Sequence, residues 1–414
     1  MTPIHVSRRG VLRGIGAAGV GLTFAGSTSA GGEGTYIVST GGNGARRNLE
    51  RAGFDVTREL AGGSVLIVSG PANAEEDANV GGVDAVTPNF EVNLAEPFAE
   101  DHTTGDAEFT ENQWDKEITD TFEAHHHATG EGSRIVIADT GVDGTHHDLE
   151  GNFNEDLSLS FINGGQEAPH SGDSGDHGTH VAGTAAATGA EGVTGTAPDA
   201  ELVSVRVLGP DSSSFADVLA GADYAAEIGA DAANFSLGAG PFPSEANPDG
   251  TRVAVQRVMQ DAARRGTVST VSSGNAETNL QQGGLFYLPG TVQGVMTVSA
   301  SGPGDDLAFY SNYGTNEIEV GAPGGGRETL EETVIPDDLV FSTEPDATYG
   351  WKAGTSMAAP QVAGLVALVR ELEPIMNANR VENAIAHGAE LVDGRSSLEF
   401  GAGRINALNT VERV

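Results

Sequence analysis

Apolar positions in this chain follow two rhythms. Near-continuous apolar runs at residues 134–138, 202–208, 232–237, 267–272, 295–300 and 318–320 read as strands buried on both faces. Stretches of helical spacing alternate with them, at 179–187, 215–228, 252–265 and 356–372. In the third stretch Val255, Val258, Met259 and Ala262 share one face, and Gly266 follows as a stop signal. This alternation predicts an α/β domain over residues 113–414, with a parallel sheet covered by helices on both faces. Asp139 and Asn275 fall at the carboxyl ends of such strands, where side chains leave the sheet and can do chemistry. Upstream, strands at 36–38, 54–57, 64–69 and 85–92 and helices at 46–52 and 73–80 predict a small α+β unit within residues 31–95. An acidic segment, 96–112, reads as a cleavable linker between the two units.

Candidate chemistry sits in three segments. Gly354-Thr355-Ser356-Met357-Ala358-Ala359-Pro360 puts a serine between small residues at the start of a buried helix. Unpaired N–H groups and partial positive charge at that helix end suit a developing oxyanion. Serine needs a base and a group to orient that base. Ile137-Ala138-Asp139-Thr140-Gly141-Val142-Asp143 and His177-Gly178-Thr179-His180-Val181-Ala182-Gly183 can supply both. Neutral imidazole at His177 would take and return the Ser356 proton, and Asp139 would orient it. His180, at i+3 from His177, lacks the glutamate and third ligand of a zinc site. Asp143 reads as a turn residue, and His125-His126-His127 as a solvated helix face. The sequon Asn234-Phe235-Ser236 falls in a predicted buried strand.

With the order Asp, His, Ser, the chain resembles the subtilisin-like serine proteases, or subtilases, and within them the secreted halolysin type of haloarchaea. A fourth segment, Ser272-Ser273-Gly274-Asn275, stands where that family keeps its oxyanion-hole asparagine. The resemblance implies a serine endopeptidase acting on proteins or peptides, with Asp139, His177 and Ser356 catalytic and Asn275 at the oxyanion. It places the substrate as an extended strand between residues 208–214, including Ser212, Ser213 and Ser214, and Ser236-Leu237-Gly238. It makes Ser272, Ser273 and Gly274 walls of an S1 pocket with broad apolar preference. It gives residues 31–95 the role of a propeptide, partner and temporary inhibitor of the chain's own protease. No cofactor is required for the chemistry, although Asp148 matches a family calcium ligand and a structural calcium is a candidate. The shortened loop Thr188-Gly189-Ala190-Glu191-Gly192 leaves a bare structural carboxylate as the other reading. A binding or narrowly processing scaffold on the same fold stays open as an alternative function.

Composition narrows the setting. The 414 residues carry 21 basic and 59 acidic side chains, a net charge of −38, and Lys116 and Lys352 are the only lysines. At about 1 M salt the Debye length falls to roughly 3 Å and such self-repulsion is screened, so the chain reads as salt-adapted. Its acidity argues against nucleic acid as a partner. Cysteine is absent, which removes disulfides and thiolate chemistry. Residues 1–30, with Ser7-Arg8-Arg9, a weakly apolar run and Thr28-Ser29-Ala30, read as a twin-arginine export signal. No stretch has the length and apolarity of a membrane span, so the expectation is a secreted, extracellular monomer without a membrane anchor.

Overall fold

The computed structural model describes residues 33–42, 44–71, 80–92, 101–103, 112–167, 172–173, 175–209, 213–244, 250–391 and 397–414. The expected export signal, most of the 96–112 linker, Ser212 and nearly all of the helix expected at 73–80 lie outside them.

The amino-terminal unit is an antiparallel sheet of β1 (Glu33–Thr40), β2 (Asp55–Leu60), β3 (Val65–Pro71) and β4 (Val83–Pro88) in the order β2-β3-β1-β4. Alternation along these strands serves two faces. Tyr36, Val38, Leu66 and Val68 pack with Leu49 of helix α1 (Ala45–Arg51), whereas Ile37, Val65 and Ile67 face the second unit. The final strand ends at Pro88, short of the expected Val92. A three-residue strand, β5 (Asp101–Thr103), comes later.

Seven parallel strands form the main sheet among the described residues. These are β6 (Arg134–Asp139), β7 (Leu159–Ser160), β8 (Glu201–Arg206), β9 (Ala232–Phe235), β10 (Val268–Ser272), β11 (Met296–Ser301) and β12 (Val320–Pro323), in the order β12-β11-β10-β9-β6-β8-β7. The chain steps from β6 to β8 on one side and then resumes with β9 on the other. The carboxyl end of β6, where Asp139 lies, is therefore the switch point of the sheet. Helices α2 (His177–Ala186), α3 (Phe215–Glu227) and α4 (Thr251–Arg265) pack on the sheet's two faces. Ser214 caps α3 by accepting from the Asp217 N–H. In α4 the four expected residues are buried and Gly266 closes the helix at φ 110°.

The sequence reading missed a hairpin of β13 (Val340–Glu344) and β14 (Thr348–Lys352), whose mixed Gly, Thr and aromatic composition carries no continuous apolar run. It leads directly into α5 (Thr355–Leu372), which is buried on all sides as far as Arg370. Helix α6 (Ala378–Gly388) was also missed, because only Ala378, Val381, Ile385 and Gly388 of its residues are buried.

Candidate active site

Asp139 ends β6 with its side chain fully buried, and its Oδ1 accepts from the Thr140 N–H at 2.8 Å. His177 opens α2 and donates from Nδ1 to the same oxygen at 2.8 Å. Close approach of helix start and strand end requires Gly178, since a Cβ there would collide with the Gly141 carbonyl oxygen. Asp173 ties the same corner together. It accepts from the Thr140 hydroxyl and from both the N–H and the hydroxyl of Thr179, while Thr140 accepts from the Gly178 N–H.

Burial disfavours the charged imidazole of His177, but the Asp139 carboxylate outweighs it and holds the His177 pKa above its ordinary value. Lys352 pulls it back, and Asp173 adds to the rise. His177 Nε2 is buried without a hydrogen-bond partner and is therefore free to act on a reacting group.

Ser356, the second residue of α5, is buried. Its Oγ donates to the Ser236 carbonyl at 3.2 Å, and its own carbonyl accepts from the Ser236 hydroxyl at 2.7 Å. Asn234 supports Ser236 by donating from Nδ2 to its hydroxyl, so the sequon is a buried structural pair. Asn275 Oδ1 accepts from both the N–H and the hydroxyl of Thr355, which fixes the amide and leaves Nδ2 beside Gly354 as its donor end. Asp139 with His177, and Ser356 with Asn275 through Ser236 and Thr355, thus stand at the carboxyl ends of the neighbouring strands β6, β9 and β10.

The substrate edge expected at Ser213 and Ser214 is already paired. Val92 N–H donates to the Ser213 carbonyl, Phe215 N–H donates to the Phe90 carbonyl, and Glu91 bridges antiparallel to Ser214. Phe90 stacks on Phe215 at 4.6 Å. Leu237 is buried, and Ser273 donates to the Asn312 carbonyl. The sequence reading overlooked Tyr287. A Cβ on Gly238 would lie 2.5 Å from its ring and one on Gly274 2.9 Å, so the ring packs between the expected substrate edge and an expected S1 wall. Burial pushes its pKa up, against a hydrogen bond with Ser272.

Asp148 departs from the expected calcium ligand. Its buried carboxylate accepts from the N–H groups of Glu191, Gly192 and Val193 and from the Tyr349 hydroxyl at 2.8 Å. Four donors aimed at one carboxylate present positive hydrogens where a cation would sit, so these residues do not fit a metal. The described residues contain no cluster of three His, Cys, Asp or Glu able to hold one. His180 is likewise structural, with Nε2 donating to the Val340 and Gly350 carbonyls, and burial drives its pKa well down. His125 corrects the solvated-face expectation: it is half-buried and bonds the Thr196 carbonyl, while His126 and His127 are exposed.

Known proteins match this chain over most of its length. The sequence profile of the subtilase family matches residues 130–403. Thermitase of Thermoactinomyces vulgaris is 30% identical over 312 residues, covering 75% of this chain and 100% of that protein. Subtilisin Savinase of Lederbergia lenta is 34% identical over 280 residues, covering 67% and 90%. Among solved structures, a protease of Pseudoalteromonas arctica aligns with TM-score 0.62 at 29% identity over 73% of this chain and 97% of that one. The epidermin leader peptide processing serine protease of Staphylococcus aureus shares the fold alone, with TM-score 0.77 at 20% identity over 92% and 98%. Motif order, sheet topology and these matches converge: the chain belongs to the subtilase family and is a serine endopeptidase.

Proposed function

We propose that Ser356 is the nucleophile, His177 the general base and acid, Asp139 the group that orients His177, and Asn275 an oxyanion donor. The 2.8 Å bond from His177 Nδ1 to buried Asp139 carries this reading, because it fixes the tautomer that leaves Nε2 able to accept a proton. For reaction Ser356 Oγ exchanges its bond to the Ser236 carbonyl for one to the unpartnered Nε2. Oγ then attacks the scissile carbonyl carbon while its proton passes to His177. The oxyanion is met by Asn275 Nδ2 and the Ser356 N–H. His177 returns the proton to the departing amine as the C–N bond breaks. Water, deprotonated by the same imidazole, then attacks the acyl carbon, and the bond to Oγ breaks as His177 returns that proton to Ser356. No step is assigned to a cation at Asp148.

In this proposal the protein is exported by the twin-arginine route, adapted to salt, and made as a zymogen that works as a monomer. Residues 31–95 act as its inhibitor. Support comes from the pairing of Phe90 to Val92 with Ser213 to Phe215, on the edge assigned to substrate, and from β5, which adds antiparallel to β14. Residues 91 and 101 thus both contact the protease unit, and the cut is expected in the 96–112 linker. No helix among the described residues is long and apolar enough to cross a membrane. The tests are a fluorophosphonate probe and the mass of the secreted chain. The probe should label Ser356, and Ser356→Ala should stay at full length without other proteases; labelling elsewhere, or normal processing of Ser356→Ala, contradicts the proposal.

A further inference from the structure

Lys352 is one of two lysines in the chain, and its side chain is fully buried at the end of β14. Its Nζ lies 3.1 Å from Oε1 of Glu344, itself only 3% exposed, and 3.1 Å from Oδ2 of Asp176. The place is built for this contact. Gly350 lies between Glu344 and Lys352 on the same face of the hairpin, and a Cβ there would collide with the Glu344 carboxylate. Asp176 immediately precedes α2, yet its side chain makes no helix cap and turns to the ammonium. Burying a cation is costly unless it is paired, and here two carboxylates from different elements pair it. Two residues, Ala353 and Gly354, then separate Lys352 from Thr355 and Ser356 at the start of α5, while Asp176 adjoins His177 at the start of α2.

We propose that Lys352 is a positioning residue for His177: gripped by Glu344 and Asp176, its ammonium fastens the start of α2 to the hairpin that leads into Ser356, and sets a fixed cation near the imidazole. The inference rests on the proposed roles of His177 and Ser356. The charged and titratable groups around His177 are Asp139 on β6, Asp173 before α2, Asp176 and His180 at the start of α2, Glu344 on β13 and Lys352 on β14. Lys352 favours the neutral base against the pull of Asp139 and Asp173, and without it the imidazole holds its proton to higher pH.

The test compares pH profiles of kcat/KM for the wild-type chain, Lys352→Met, Lys352→Arg and the double variant Glu344→Gln/Lys352→Met, which spares the fold an unpaired buried carboxylate. Thermal unfolding is read alongside. In Lys352→Met the acid limb should move up by about half a pH unit or more, with kcat falling about tenfold or more and KM within about twofold, the pattern of an interaction used after binding. Lys352→Arg should restore most of kcat and the wild-type limb, and the double variant should keep the shifted limb. Folded Lys352→Met or double variant with the wild-type limb and kcat overturns the inference. A wild-type profile with no acid limb instead overturns the role of His177.

Discussion

Ser236 holds Ser356 from two sides, donating from its hydroxyl to the Ser356 carbonyl at 2.7 Å and accepting the Ser356 hydroxyl on its own carbonyl at 3.2 Å. Ser356 is thus tied to β9 and its successor loop as well as to its own helix. Ser236→Ala keeps the second contact, which is backbone, and loses the first. It also strips a buried Asn234 Nδ2 of its acceptor. Unfolding should show a loss of about 1–3 kcal/mol, with kcat lowered and KM little changed; a variant as stable and active as wild type would remove Ser236 from the account.

Activity should rise with pH through a limb centred above 6.5, since burial opposes but Asp139 wins in holding the His177 proton. Protonated imidazole cannot accept from Ser356, so the limb marks His177 losing its proton. The check is kcat/KM from pH 5 to 9 at constant ionic strength. A midpoint near 5, or a flat profile, would contradict the assignment.

The buried Tyr287 ring packs against both Gly238 and Gly274, on two segments that the proposed function assigns to substrate. Small apolar residues should be preferred at P1, a narrower choice than the broad apolar preference expected from the wall residues alone. Tyr287→Ala should raise kcat/KM for phenylalanine at P1 relative to alanine by roughly 10-fold or more, the range available from filling a hydrophobic pocket. Paired peptide substrates differing at P1 give the ratio directly, and an unchanged ratio would place the pocket elsewhere.

Glu319 carries a pH dependence of the opposite sign from most carboxylates. Burial, with Glu382 and Glu317 adding to it, raises its pKa from 4.5 to about 8, although the Thr297 N–H donates to it at 2.6 Å. A carboxyl whose folded pKa is raised contributes stability that is complete below about 4.5 and declines as pH climbs toward 8. Glu319→Gln keeps an acceptor for Thr297 and cannot ionise. Its melting temperature should exceed that of wild type at pH 8 and match it near pH 4.5; equal melting temperatures at both would refute the shift.

What could be read from the sequence was whatever is encoded locally. Continuous apolar strands, the face of α4 with its Gly266 stop, and the four motif segments all announce themselves within a few residues. Tyr287, Lys352 and Asp173 do not, because each role needs a partner far along the chain that no local pattern announces: Gly238 for Tyr287, Asp176 for Lys352 and Thr140 for Asp173. The same applies to Asp148. Its match to a family calcium ligand suggested a metal, but the short loop after α2 turns N–H groups, rather than carbonyls, toward it. Helix α6 and the β13–β14 hairpin escaped notice because burial of one narrow face, or of threonines and glycines, leaves little hydropathy signal.

The central claim is that Asp139, His177 and Ser356 act as one unit. It is tested most directly by kcat for peptide hydrolysis in Ser356→Ala, His177→Ala and the double variant, with folding confirmed for each. Each single change should lower kcat by a factor of at least about 10⁴, the scale known from a subtilisin, and the double variant should be no worse than either alone. Losses that multiply in the double variant, or Ser356→Ala turning over peptide near the wild-type rate, would contradict it.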